Sequence, residues 1–256
     1  MGDSDFKIDL GQAFPHLNKA PILEAVIEIR TRAEAPWEEA SITQSLKSQL
    51  PDYPGLLSLN QMRQQFTFGA ELTPQASTHD LGWSGLRLQS ADKLHVAQLK
   101  RDGFSFSRLA PYETWEQLEG EANRLWLIYV QLAKPLEVHR LGVRFINKIP
   151  MSLNSTKLED YIQPHPETPN GLDLPFSNFL HRETLIVPGY DYGINLTRTL
   201  QRTEEGAGII LDIDVFTTQP SQLDEAERER RLTEMRWLKN KCFFGTITKG
   251  ALENLQ

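Results

Sequence analysis

The stretch Gly103–Ile149 places the strongest constraint on the fold, because it reads as a strand, a long helix and a second strand in close succession. The predicted helix, Thr114–Ala133, begins with a capping box in which Thr114 and Gln117 can satisfy backbone amides of the first turn. Its apolar residues recur every three or four positions, which is typical of a helix with one buried face. The stretch therefore predicts a long helix packed on a sheet.

The strand after this helix, predicted over Leu136–Ile149, alternates between apolar and polar residues. One of its faces carries the cations Arg140, Arg144 and Lys148, because residues two positions apart lie on the same side of a strand. This line of cations has two interpretations. It is either a solvated sheet face with extended basic side chains or the wall of a basic groove.

The rest of the chain predicts further strands and two more helices. Short links between successive strands favour antiparallel pairing. The predicted strands are Leu23–Thr31, Gln61–Leu72, Gly82–Ser90, Lys93–Arg101, Gly103–Leu109, Tyr190–Arg202 and Gly208–Thr217, with a polar loop over Thr73–Asp80 and helices over Pro36–Leu50 and Gln222–Phe244. The fold class that follows is α+β, with one or two antiparallel sheets packed by long helices.

The domain organisation has two interpretations. Residues 151–175 are rich in proline and asparagine and read as a linker or a long loop between a first half, 1–150, and a second half, 176–256. Because a hairpin followed by a long helix occurs in each half, the halves are predicted to be pseudo-repeats. The alternative is a single domain over 14–256.

Composition narrows the classes of function. The chain of 256 residues has a formal net charge of −7, which makes nucleic acid an unlikely direct partner. Met1–Leu10 lacks the pattern of a signal peptide, and no segment approaches 18 consecutive apolar residues, so we expect a cytoplasmic protein that does not enter a membrane. The one cysteine, Cys242, excludes disulfides within this chain.

Catalytic motifs are absent from the sequence. It has no nucleophile elbow, no phosphate-binding P-loop, no dinucleotide fingerprint and no paired histidines at metal spacing, so we expect a protein without enzymatic activity and without a cofactor. Asp212 and Asp214 share one face of a predicted strand. Two such carboxylates could hold a divalent cation through oxygen, which makes magnesium the alternative.

Charged faces on four predicted strands suggest one combined site. If they converge inside a curved sheet, they form a basic cavity with a carboxylate pair, suited to a triphosphate and its metal. The candidate ligand-binding residues are Glu24, Glu28, Arg30, Arg140, Arg144, Lys148, Arg198 and Arg202, and the candidate metal ligands are Asp212 and Asp214. This logic is similar to that of the triphosphate tunnel proteins, although the Glu-x-Glu-x-Lys signature of those proteins is absent and Glu28-Ile29-Arg30 covers only a fragment of it.

Four separated segments carry a resemblance. They are Ala20–Arg30 (APILEAVIEIR), Phe106–Trp115 (FSRLAPYETW), Arg140–Lys148 (RLGVRFINK) and Lys239–Thr248 (KNKCFFGTIT). In this order they resemble a sporadically distributed bacterial protein family of unassigned function. The resemblance implies a prokaryotic cytosolic protein, and a scattered distribution of this kind is typical of mobile or defence-associated genes. It brings no catalytic residues.

The sequence therefore favours a non-enzymatic protein that binds another protein chain, as an accessory component of a bacterial defence or toxin–antitoxin-like module. A homodimer is a further expectation for its assembly. The alternative is a protein that binds a phosphate ligand, a triphosphate or a nucleotide, in a basic cavity, or a metal-dependent phosphohydrolase built on the same residues.

Overall fold

A computed structural model describes residues 6–68, 74–152, 157–172, 174–203, 206–222 and 224–256, and gives only the backbone of 63–68, 74–78 and 203. The strands are β1 (Ile22–Thr31), β2 (Gly55–Phe68), β3 (Pro74–Gln89), β4 (His95–Lys100), β5 (Gly103–Leu109), β6 (Val138–Met151), β7 (Leu180–Ile186), β8 (Tyr192–Thr203) and β9 (Gly206–Thr217). The helices are α1 (Glu39–Gln49), α2 (Trp115–Ala133), α3 (Glu225–Thr246) and α4 (Lys249–Glu253), with a short 3-10 helix at Leu158–Asp160.

These strands form one antiparallel sheet in the order β2-β3-β4-β5-β1-β6-β9-β8-β7. The protein is therefore of the mixed α+β class, with the sheet as its dominant element. At its centre β1 pairs with β6, so that Glu28 lies opposite Gly142. On their other sides, β1 pairs with β5 and β6 pairs with β9. Strands from before and after residues 151–175 therefore belong to the same sheet.

One face of the sheet carries the hydrophobic core. Helix α2 begins as the capping box predicts, since Thr114 Oγ1 accepts a hydrogen bond of 3.2 Å from the amide of Gln117. Trp126 of this helix packs on Phe104 of β5, with ring centroids 6.0 Å apart. Helix α3 contacts β6 and β9, which are buried on the same side. None of the helices in these residue ranges is long and apolar enough to cross a membrane.

The long hairpin of β2 and β3 corrects one prediction. The polar loop expected over Thr73–Asp80 is wrong for residues 74–80, which belong to β3 and pair with β2 from Phe68 opposite Pro74 onward. Thr73 lies outside the described residues, as does Leu72 at the end of a predicted strand. Polar residues extend the hairpin because the antiparallel ladder satisfies their backbone groups whatever the side chains are.

Helix α3 carries most of its charged residues in its first half. Its charged first half is not wholly in water, because Arg228 is only 4% exposed and its Nε donates a hydrogen bond of 3.2 Å to Asn123 Oδ1 of α2. Arg231 is largely covered as well, and pairs with Glu227 at 2.6 Å. Arg228 therefore anchors the amino half of α3 to α2.

Substitution of the core residue Leu211 should show how far stability depends on the covered face. Leu211 of β9 is fully buried, and Leu211→Ala should lower the free energy of unfolding by about 2–5 kcal/mol through lost transfer energy and a cavity. Leu180→Ala on edge strand β7 is the matched control, because Leu180 is 74% exposed and its loss should cost less than about 0.5 kcal/mol. Urea unfolding of both variants measures the difference, and equal losses would contradict this description of the core.

Candidate functional site

The face of the sheet opposite the core, hereafter the open face, is polar and charged. On β1, residues Ala25, Ile27 and Ile29 are buried on the core side, so the alternate residues Glu24 and Glu28 lie on the open face. The strand register places residues of β6, β8 and β9 beside them. The contacts of the described helices with the sheet, by contrast, involve the core side.

A polar network crosses five strands of the open face, and Arg140 is at its centre. Arg140 Nη1 donates to Glu28 on β1, and Nη2 donates to both carboxylate oxygens of Asp214 on β9, at 2.7 and 2.8 Å. Asn195 of β8 donates to Asp214 at 3.0 Å and accepts from the hydroxyl of Thr184 on β7 at 2.8 Å. The side chains of Arg140 and Asp214 are only 17% and 18% exposed, so this pair is shielded from water.

A second ion pair lies beside the first. Arg144 Nε and Nη2 donate to the two carboxylate oxygens of Asp212 at 2.8 and 2.6 Å, a bidentate geometry. These hydrogen bonds to Asp212 raise the pKa of Arg144 above its usual range, against the opposing effect of burial. Lys148, farther along β6, has no ion pair with the described residues.

Two strand glycines make room for this network. A Cβ at Gly142 would collide with the guanidinium of Arg140, because the Arg140 side chain extends over this position to reach Asp214. A Cβ at Gly193 would come within 2.6 Å of the Phe216 ring, over which the Arg140 guanidinium stands at 5.0 Å. Glycine in the interior of a strand often marks such close approach.

Most of the residues predicted from sequence meet on the open face. These are Glu24, Glu28, Arg30, Arg140, Arg144, Lys148, Asp212 and Asp214. Arg140 and Arg144 pair with the carboxylates, and Arg30 contacts Glu28 at 3.2 Å, whereas Glu24 and Lys148 form no ion pair with the described residues.

The structure does not bring Arg198 and Arg202 to this face. Thr197 of β8 lies opposite Asp212, so the next residue, Arg198, lies on the core side, where it is 1% exposed. Arg198 donates to Pro164 O and to Glu183 Oε1, the latter at 3.0 Å, and so holds residues 157–172 against β7 and β8. Arg202 follows the same parity near the exposed end of β8. Sequence alternation alone gives the two faces of a strand but not which face meets the neighbouring strand's charges.

The carboxylates predicted to bind metal do not fit that role well. Asp212 and Asp214 each accept hydrogen bonds from a guanidinium on both of their oxygens, which a cation would have to displace. In the part of the chain that the structure describes, no cluster of three or more His, Cys, Asp or Glu side chains is placed to hold a metal ion. Magnesium at this pair stays a prediction.

A pocket of about 300 Å³ lies on the core side, where the amino end of α2 meets α3. Aromatic rings form much of its wall, and Phe14 stacks on Phe244 there with centroids 5.4 Å apart. The pocket is lined by Phe14–Leu17, Ala20–Ile22, Tyr112–Glu116, Asn147, Arg236, Lys239, Asn240, Phe243 and Phe244. This volume and composition are typical of a site for a small organic molecule.

Lys239 is the unusual group of this pocket. Its Nζ donates to Asn240 Oδ1 at 2.6 Å and stands 4.0 Å from the centroid of the Phe145 ring. It forms no ion pair with the described residues. Burial, with a smaller contribution from the nearby Arg236 guanidinium, lowers the pKa of Lys239 to about 7.

Sequence reasoning did not identify this pocket, yet a signal for it was present. Each of the four segments that carry the family resemblance contributes to the lining: Ile22 from the first, Tyr112 from the second, Asn147 from the third and Lys239 from the fourth. Segments this far apart share no spacing rule, so only the fold reveals that they meet.

Comparison with known proteins adds no identity. The chain matches no model of a known protein family and shows no significant similarity to a curated protein.

Removal of the Arg140 charge should destabilise the open face. Arg140→Met removes the guanidinium from Asp214 and Glu28, which keep only Asn195 and Arg30 as donors, and should cost about 1–3 kcal/mol of unfolding free energy. A double-mutant cycle with Asp214→Asn should give a coupling of about 1–3 kcal/mol. Arg182→Met, an exposed cation of β7 with no ion pair to the described residues, is the control and should change stability by less than about 0.5 kcal/mol. Additive losses in the cycle would contradict the network.

Lys239 should give the protein a specific dependence of stability on pH. Its pKa is lower in the folded chain, about 7, than the usual unfolded value of about 10.4, so between these values the unfolded chain binds more protons. Stability should therefore rise with pH across this interval. Urea unfolding at pH 7, 8 and 9 should show the wild type gaining stability relative to Lys239→Met, and parallel pH curves would show that the lysine titrates normally.

Proposed function

We propose that this is a binding protein that docks another protein chain on its open face. The observation that carries the proposal is that α2 and α3 pack on the core side of the sheet, while charged side chains of β1, β6 and β9 form the opposite face. The open face is also internally organised, because the network from Glu28 through Arg140 and Asp214 to Thr184 holds its side chains in fixed positions. A rigid, half-buried polar surface lowers the entropic cost of binding a partner.

The charge of the open face favours an acidic partner surface. Its central cations, Arg140 and Arg144, are neutralised by carboxylates. The unpaired cations lie toward its margins, with Arg87 on β3, Lys148 on β6 and Arg182 on β7, none of which forms an ion pair with the described residues. These cations give parts of the open face a local positive charge although the whole chain has a net charge of −7. Marginal charges of this kind mainly steer association and set specificity.

The relation between the two halves of the chain and its cellular context are further parts of this proposal. A strand group whose first and last strands pair, followed by a long helix, occurs twice, as β1 with β5 before α2 and as β6 with β9 before α3. This supports pseudo-repeats whose boundary falls before β6 and not at residues 151–175. We further propose a cytoplasmic protein of the sporadically distributed bacterial family, acting as an accessory component of a defence module. In that role a docking platform without catalytic machinery is sufficient.

The alternative is a phosphate ligand or nucleotide bound at Arg140 and Arg144. The bidentate contacts of both guanidinia with Asp214 and Asp212 compete with it, since a phosphate would have to displace carboxylates. It stays a prediction that the experiment below also tests.

Native mass spectrometry of the gently purified, tagged protein from its own host tests the docking proposal. We expect an added macromolecular mass that is protein. The double charge reversal Lys148→Glu, Arg182→Glu should weaken the complex at least tenfold, because each reversal replaces attraction by repulsion at an acidic partner surface. Lys249→Glu, an exposed reversal at the first turn of α4 on the core side, is the matched control and should leave the complex intact.

Three outcomes would contradict the proposal. A mass removed by nuclease would identify nucleic acid instead of protein. A bare chain that gains a small phosphorylated adduct, with loss of that adduct in an Arg140→Ala, Arg144→Ala variant, would establish the phosphate alternative. A complex that the open-face reversals and the Lys249→Glu control affect equally would place the partner elsewhere on the molecule.

A further inference from the structure

The pocket between the amino end of α2 and α3 has the composition of a ligand site that is independent of the open face. It lies on the other side of the sheet, so the docking proposal does not use it. Its wall combines aromatic rings with one cation, Lys239, that has no carboxylate partner in the described residues.

The charges around the pocket leave Lys239 as the group in need of a counter-ion. Glu113 is held by Arg108 at 3.0 Å, and Glu116 is held by Arg236 at 3.0 Å. Both lining carboxylates are thus already paired. The amino group of Lys239 has only an amide oxygen and the face of Phe145 to stabilise its charge.

The neighbours of Lys239 are suited to a carboxylate. Because Asn240 Oδ1 accepts the hydrogen bond from Lys239, the amide nitrogen of Asn240 remains a donor for a ligand. The first residue of α2, Trp115, also lines the pocket, and the amino end of a helix favours negative charge. One unpaired cation with such neighbours matches a singly charged anion better than a phosphate dianion.

The walls of the pocket define the rest of the ligand. Phe14, Phe244 and Trp115 offer ring faces and edges, and the volume of about 300 Å³ admits a molecule of roughly one aromatic ring with a short side chain. We propose that this pocket binds a small aromatic carboxylate, with its carboxylate at Lys239 and Asn240 and its ring among these aromatic side chains.

Isothermal titration calorimetry with phenylacetate tests this proposal. A ligand of this size should bind with a dissociation constant of about 0.1–1 mM. Phenylacetamide has the same shape without the charge and should bind at least tenfold more weakly than phenylacetate. Acetate has the charge without the ring and should also bind at least tenfold more weakly. The open-face variant Lys148→Glu, Arg182→Glu should bind phenylacetate as the wild type does, which separates this site from the docking surface.

Variants of the pocket complete the test. Lys239→Met keeps the length of the side chain and removes its charge, and it should weaken phenylacetate binding at least tenfold. Lys241→Met, an exposed lysine two residues away, is the matched control and should bind normally. If Lys239→Met does not fold by circular dichroism, Asn240→Ala replaces it and should weaken binding at least threefold.

The proposal is overturned by any of three results. These are no saturable heat with phenylacetate up to about 10 mM, equal affinity for phenylacetamide, or unchanged affinity in both folded pocket variants. The concentration limit is tenfold above the weakest dissociation constant expected for this ligand.

Discussion

The pairing of β1 with β6 is the interaction on which the rest of the structure depends. Strand β6 in turn pairs with β9, and this second pairing joins the strands before and after residues 151–175 into one sheet. Because β1 and β6 are central, each has a neighbouring strand on both sides. The register of β1 and β6 therefore decides which side chains of the outer strands lie on each face of the sheet. The buried side chains Ile27 and Val143 fix which face is covered, since a shift of one residue would move the apolar set into water.

Coverage of only one face gives the molecule two chemically different surfaces. On the core side, α2 and α3 bury aromatic and aliphatic side chains and leave a pocket at their junction. On the open face, charged side chains are stabilised by pairing across strands, with Arg140 shared between Glu28 and Asp214. Such shielded pairs contribute more to a fixed arrangement of side chains than to net stability, because desolvation offsets much of their attraction. We therefore propose macromolecular docking at the open face and small-ligand binding in the pocket.

The two proposed sites lie on opposite sides of the same central strand, β6. Arg144 on its open face pairs with Asp212, while Phe145, the next residue, supports the Lys239 amino group on the other side. Adjacent residues of a strand point to opposite faces. A ligand in the pocket and a partner on the sheet would therefore both lie against side chains of β6. A displacement of β6 would change the geometry of both sites.

The sequence by itself determined the elements with strong periodicity and those positions whose chemistry is local. The capping box of Thr114 and Gln117 and the alternation of β6 are of this kind, because both depend on residues close in the chain. The tertiary structure alone decided the register between strands. This register places Arg198 on the core side of the sheet and Arg140 on the open face. The tertiary structure also decided that Lys239 meets Tyr112 and Asn147 in one pocket, since contacts between distant segments have no signature in local spacing.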